Sequence, residues 1–212
     1  MTGHAPHGMW LVALAALLSV GCTSARQIDL ARLSIRAEAD DAPAVETDFD
    51  TAVYAVDDRS TLTVVLIDGD VDQPRQAVTL RMFWRPTPGR TPISPEATNA
   101  TVHYLVFGPS PGDAAGPAAV YSGAGYLFPR DRAGEAEFHA SLWDSTVLLA
   151  DRSDGFQDVL GPASITGRFT ARHDEAATLR LINQLGEMVS ARLGYPRLIE
   201  RNGDNLDVLA TR

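Results

Sequence analysis

Polar and apolar residues alternate along most of this chain. From Thr51 onward they do so in short stretches separated by Gly, Pro, Asp and Ser, the period of half-buried strands. The pattern predicts strands over 51–57, 61–68, 76–85, 100–108, 118–128, 135–143, 146–151 and 163–171. In one of them Val78, Leu80, Met82 and Trp84 share a side, and Thr79, Arg81, Phe83 and Arg85 share the other. In another Phe138, Ala140 and Leu142 oppose Glu137, His139, Ser141 and Trp143. One face of each is expected to be buried and the other mostly wet. No helical period separates these strands, so the expected fold is mainly β. An antiparallel β-sandwich or barrel over 51–195 would be large enough to bury one core.

The period changes near the end of that region. Leu181, Ile182, Leu185, Met188, Val189 and Leu193 fall on one face of a helix, opposite Arg180, Asn183, Gln184 and Glu187. Asp174 can cap its start with Glu175 in the first turn, and Gly194 followed by Pro196 can end it. One C-terminal amphipathic helix over 174–193 is therefore expected, lying on its own sheet or in a partner's groove. Residues 196–212 carry Asn202-Gly203 between two weak strand candidates, a hairpin or a tail.

The first residues follow neither pattern. Met9 to Val20 is an uncharged apolar run of twelve residues, whereas a helix crossing a bilayer needs about 20. A short apolar segment followed by small residues is the form of a secretory signal peptide. Here Ser19, Val20 and Gly21 precede Cys22, the single cysteine of the chain. This arrangement resembles the lipobox of bacterial lipoproteins. It differs in having Ser19 where leucine is usual and in an MTGHAPHG start without Lys or Arg. The resemblance is limited to residues 1–24 and does not extend to the mature domain. It implies that residues 1–21 are a signal peptide and that Cys22 becomes the acylated first residue, carrying diacylglyceryl and palmitate-type chains. The resemblance also implies a protein anchored by lipid in the cell envelope. Thr23 after the cysteine, in place of aspartate, implies the outer membrane, facing the periplasm. An ordinary signal peptide cut after Ala25 stays open, because Thr23-Ser24-Ala25 fits the small-x-small rule.

Between the cysteine and Asp50 the chain is polar and acidic, ending in DDAPAVETDFD. Ile28/Leu30 and Leu33/Ile35 each alternate, so residues 22–50 are a lipidated tether or a first strand interrupted by a bulge. The net charge of −9 belongs wholly to the part after residue 21. An acidic surface argues against nucleic acid, whose binders need Lys and Arg to displace counterions. All 18 basic residues are arginine. They are scattered, several of them on solvent-facing strand positions, and a genome rich in G and C explains the bias.

Few residues suggest chemistry. Gly108-Pro109-Ser110-Pro111-Gly112 matches the spacing of a nucleophile elbow, but Pro111 has no N–H to hold an oxyanion. Asp68, Asp70 and Asp72 alternate as weak candidate ligands for a hard cation, with Asp57 and Asp58 as further carboxylates. Gln73 and Thr79 exclude an EF-hand, since they occupy the positions of its glycine and bidentate glutamate. His4 and His7 lie in the leader; His103, His139 and His173 have no ligand-like spacing. His139 shares a strand face with Glu137 and Ser141, an arrangement open to acid-base work. No phosphate loop or dinucleotide fingerprint occurs, and no cofactor is expected.

The expectation is a lipid-anchored envelope protein with a β-rich domain that binds or scaffolds a protein, glycan or lipid partner. Two alternatives follow from the same residues. A hydrolase of envelope polymers would need two or more of His139, Glu137, Asp68 and Asp70 to meet in a cleft. A lipid carrier would need a barrel with an open apolar cavity.

Overall fold

The alternating segments form nine strands, and the 3.6-residue period forms one helix. A computed structural model describes residues 31–39, 44–57, 61–82, 98–110 and 115–197. The leader, Cys22, Ile28, Leu30, Asp58, the stretch from Phe83 to Arg85, Pro111, Gly112 and the hairpin or tail beyond Arg197 lie outside the described residues. The strands are β1 (Ala31–Ala37), β2 (Ala44–Asp48), β3 (Thr51–Val56), β4 (Leu62–Asp70), β5 (Gln73–Met82), β6 (Ala100–Phe107), β7 (Ala118–Pro129), β8 (Glu137–Arg152) and β9 (Ala163–His173). Helix α1 spans Glu175–Leu193.

Strands β3 to β9 run as an antiparallel meander, and β9 then returns to β3. That last contact is parallel and short, pairing Val53 with Arg172 and Tyr54 with His173. It closes a seven-stranded barrel, one of the two expected architectures. The other edge of β9 is taken throughout by β8. Over its first half β9 is paired instead of β3 with β1, from Ala31↔Phe169 to Ala37↔Ala163, and β2 pairs onto β1. Leu33 and Ile35 are buried inside this wedge. The acidic stretch 44–48 is thus a strand, its Glu46 and Asp48 turned to solvent.

Two clusters hold the barrel. Inside, one residue in two points to a common core that includes Tyr54, Leu62, Leu66, Leu80, Met82, Phe138, Leu142 and Phe169. Seven strands enclose a space that side chains fill. Outside, Leu181, Ile182, Leu185 and Val189 of α1 pack on Val53, Val65, Ile67, Leu105 and Val120. This explains the run Val64-Val65-Leu66-Ile67, in which all four residues are buried: beneath the helix both faces of the wall are covered. The helix begins where expected, with the Asp174 carboxylate accepting the Ala177 N–H at 3.0 Å, and ends at Gly194 in the left-handed region.

Sequence alternation predicts two strands, 135–143 and 146–151, where the structure has the single strand β8. The register against β9 slips between Leu142 and Ser145, with Asp144 at φ 45°. A bulge puts Trp143 and Asp144 outward in succession and then restores the alternation. Gly125 faces it on β7, where a Cβ would lie 1.9 Å from the Ser145 hydroxyl. The turn before β8 is pinned from the core, where the Tyr54 hydroxyl donates to the Glu135 carbonyl and accepts the Gly134 N–H.

Candidate functional site

Helix α1 covers the outer wall from β3 to β7 and leaves the outer faces of β1, β9 and β8 open. Strand alternation points Arg32 and Ser34 of β1, Thr166, Arg168 and Thr170 of β9, and His139 of β8 out of this wall. Arg130 joins them from the turn between β7 and β8, and Glu46 from β2. Together they line an open groove of about 560 Å³. Its floor is Gly167 at φ 155°, where a Cβ would lie 2.3 Å from the Arg32 carbonyl oxygen. Only glycine allows β1 to approach β9 this closely.

The charges of the groove are unequally matched. Arg32 makes two hydrogen bonds to the Asp48 carboxylate, at 2.6 and 3.2 Å, and the guanidinium holds that carboxyl below its usual range. The Asp131 carboxylate accepts the His139 backbone N–H at 2.8 Å and lies 2.5 Å from its ring Nδ1. Desolvation pushes the Asp131 carboxyl up; the two bonds from His139 and the charge of Arg130 outweigh it and hold the carboxyl low. Arg168 has no hydrogen bond or ion pair to a side chain among the described residues. Three arginines, Arg32, Arg130 and Arg168, thus stand against Glu46, Asp48 and Asp131, and Arg168 faces solvent without a bonded side chain among the described residues.

A second depression of about 320 Å³ continues the first, sharing Thr166, Gly167 and Arg168 with it and adding Leu142 and Trp143. The Trp143 indole is 55 % exposed. Phe128 meets it edge-on, with ring centroids 6.1 Å apart, and Tyr126 stacks behind Phe128 at 6.2 Å. The wall therefore carries a continuous surface that has the Arg168 guanidinium and a mixed set of charges at one end and aromatic rings at the other.

The residues singled out from sequence do not assemble elsewhere. Asp68 is buried and accepts bonds from Arg75 and from Gln76, which is bonded in turn to Thr47 and Tyr104. Asp70 accepts the Asp72 N–H within its own turn, and Asp72 accepts Gln184 Nε2 of α1 at 2.8 Å. The three carboxylates turn in different directions, and no group of three His, Cys, Asp or Glu side chains converges among the described residues. Asp57 caps its own loop by accepting the Thr61 N–H. Ser110 accepts the Gly116 N–H at 3.2 Å, a loop bond. His139 and Glu137 share β8, but β3 and β9 lie between that strand and the β4 strand of Asp68 and Asp70. Cys22 lies outside the described residues.

The register also brings together a pair that spacing did not reveal. His103 of β6 sits opposite Ser122 of β7, with Nδ1 2.9 Å from the hydroxyl. Burial and the charge of Arg197 push this imidazole below its ordinary pKa. No carboxylate bonds to His103 among the described residues, and both residues lie within the paired β6–β7 ladder, whose N–H groups are committed to strand bonds. The pair joins the two strands side chain to side chain. Set against profiles of known protein families, curated proteins and solved structures, the chain has no match.

Proposed function

We propose that this chain is a lipid-anchored protein of the bacterial cell envelope, exported by residues 1–21 and acylated at Cys22. Its barrel would bind or scaffold another envelope component while facing the periplasm from the outer membrane. Support for the anchor comes from the Ser19-Val20-Gly21-Cys22 arrangement behind the apolar run. Support for binding comes from one observation: Arg168, without a side-chain partner among the described residues, lies in a continuous groove with the exposed indole of Trp143. A charge and an aromatic ring left open side by side on a rigid wall have more use to a ligand than to the fold.

Capture of the anchored protein from its own membranes tests both halves. Cys22→Ser is expected to lose lipid labelling and accumulate as precursor. Equal processing of this variant with cleavage after Ala25 would remove the anchor. The anchored wild type is expected to retain an envelope component that a double variant, Arg168→Glu with Trp143→Ala, releases. Identical captures from both forms would show that the groove is not the binding face.

A further inference from the structure

We infer that the ligand of this groove is an acidic glycan, a chain of sugar rings bearing carboxylates. The inference rests on the binding role proposed for the groove and adds the chemistry of what fills it. Each part of the surface suits one part of such a ligand. The planar guanidinium of Arg168 offers two parallel N–H donors that match a carboxylate, and nearby Arg130 adds charge. The hydroxyls of Ser34, Thr166 and Thr170 can donate to or accept from sugar hydroxyls. The Trp143 indole is more than half exposed and is steadied by Phe128, whose ring plane stands 75° from its own, so the exposed part of the indole can lie against the C–H face of a pyranose.

The spacing also fits. Arg168 stands opposite Ser141 on β8, and Trp143 lies two residues further along that strand. With about 3.3 Å per residue along β8 and about 4.8 Å between neighbouring strands, the Arg168 and Trp143 backbones are roughly 8 Å apart, close enough for one glycan chain to reach both side chains.

Other occupants use less of the surface. A peptide adding as a strand needs a free backbone edge; β9 is paired on both sides along the groove, with β1 and β8, and the free edge of β2 lies at the Glu46 border, with β1 and β9 between it and Trp143. Acyl chains need an apolar cavity, while the interior side chains of this barrel pack on one another. A neutral glycan would leave Arg168 without a partner.

The test uses the mature lipidated protein in detergent micelles, with binding followed by calorimetry. An alginate hexamer supplies rings with carboxylates, chitohexaose rings without charge, hexaglutamate carboxylates without rings, and phosphatidylglycerol vesicles an anionic membrane. The alginate hexamer should bind about tenfold or more tightly than each of the others, and more weakly as salt rises from about 50 to 300 mM. Arg168→Ala should weaken it about tenfold, with partial rescue by Arg168→Lys. Trp143→Ala should weaken it about fivefold and Trp143→Phe less, with melting temperatures unchanged. Equal binding of chitohexaose, hexaglutamate or vesicles would overturn the assignment, as would indifference to Trp143→Ala. If the alginate hexamer does not bind while the double variant still releases its partner in membrane capture, the glycan is wrong and the binding groove survives.

Discussion

Arg32 and Arg168 stand directly opposite each other across β1 and β9, and among the described residues only Arg32 of the two has a carboxylate bonded to it, that of Asp48. Like charges in such cross-strand positions repel, typically by a few tenths to about 1 kcal/mol. Arg168→Thr is therefore expected to leave the barrel as stable as before or more stable by up to about 1 kcal/mol, read from urea denaturation. A loss of more than about 1 kcal/mol would make Arg168 a support of the wall instead of a residue kept for a ligand.

Helix α1 is expected to be structural. Leu185 is 1 % exposed among Val53, Val65, Leu105 and other wall residues, so Leu185→Asp places a carboxylate where nothing can pair with it. The expected cost is about 3 to 5 kcal/mol, seen as unfolding or aggregation. Arg180→Ala on the open face should cost less than about half a kcal/mol. A soluble Leu185→Asp protein that melts with the wild type would show that the helix is dispensable to the barrel.

Gly167→Ala tests the floor of the groove. The new methyl would meet the Arg32 carbonyl and Leu33 backbone, which cannot move without breaking the β1–β9 register. A loss of roughly 3 kcal/mol or more is expected, with faster amide exchange over residues 31–37. Gly155→Ala, in the left-handed region at φ 79°, has open space around its Cβ and meets a backbone penalty alone, so its cost should stay near about 1 kcal/mol. Equal effects at both sites would mean that close strand approach is unimportant.

Alkaline pH should unfold the protein through its interior phenols. Burial, helped by the charge of Asp68, pushes the Tyr104 hydroxyl up to about 12, and burial with the bond to Asp158 pushes Tyr121 upward as well. The fold thus favours the neutral phenols. Their stabilisation is complete below the unfolded value near 10 and is lost as pH rises from there through the folded values. Ultraviolet titration should show tyrosines that ionise only together with loss of circular dichroism. Ionisation of every tyrosine near pH 10 in a folded protein would contradict this.

The helix and its two caps were legible because each signal is local: Asp174, the apolar face and Gly194 lie within one stretch of chain. Strand positions and faces were legible for the same reason, and where alternation broke, at Trp143-Asp144, the break was a bulge within one strand. The segment 44–48 was hard to read because a strand turning Glu46 and Asp48 outward resembles a tether in composition. The groove could not be read from spacing. Arg32, Arg130, His139 and Arg168 meet only through strand register, and each alone is an ordinary solvent-facing residue. One signal did exist, the placement of Trp143 on the polar face of its strand beside Glu137, His139 and Ser141.

Closure of the barrel imposes an order on its assembly. The parallel contact between β3 and β9 joins Tyr54 to His173, so a chain emerging from its N-terminus builds six strands of the wall before the seventh can reach the first. Until then the sheet has two bare edges, the condition in which β-proteins pair with the wrong neighbour. Contacts this distant in sequence also form slowly, in milliseconds to seconds. For a chain with this topology the yield on refolding should fall steeply with concentration, while the closed barrel, once formed, should be indifferent to it.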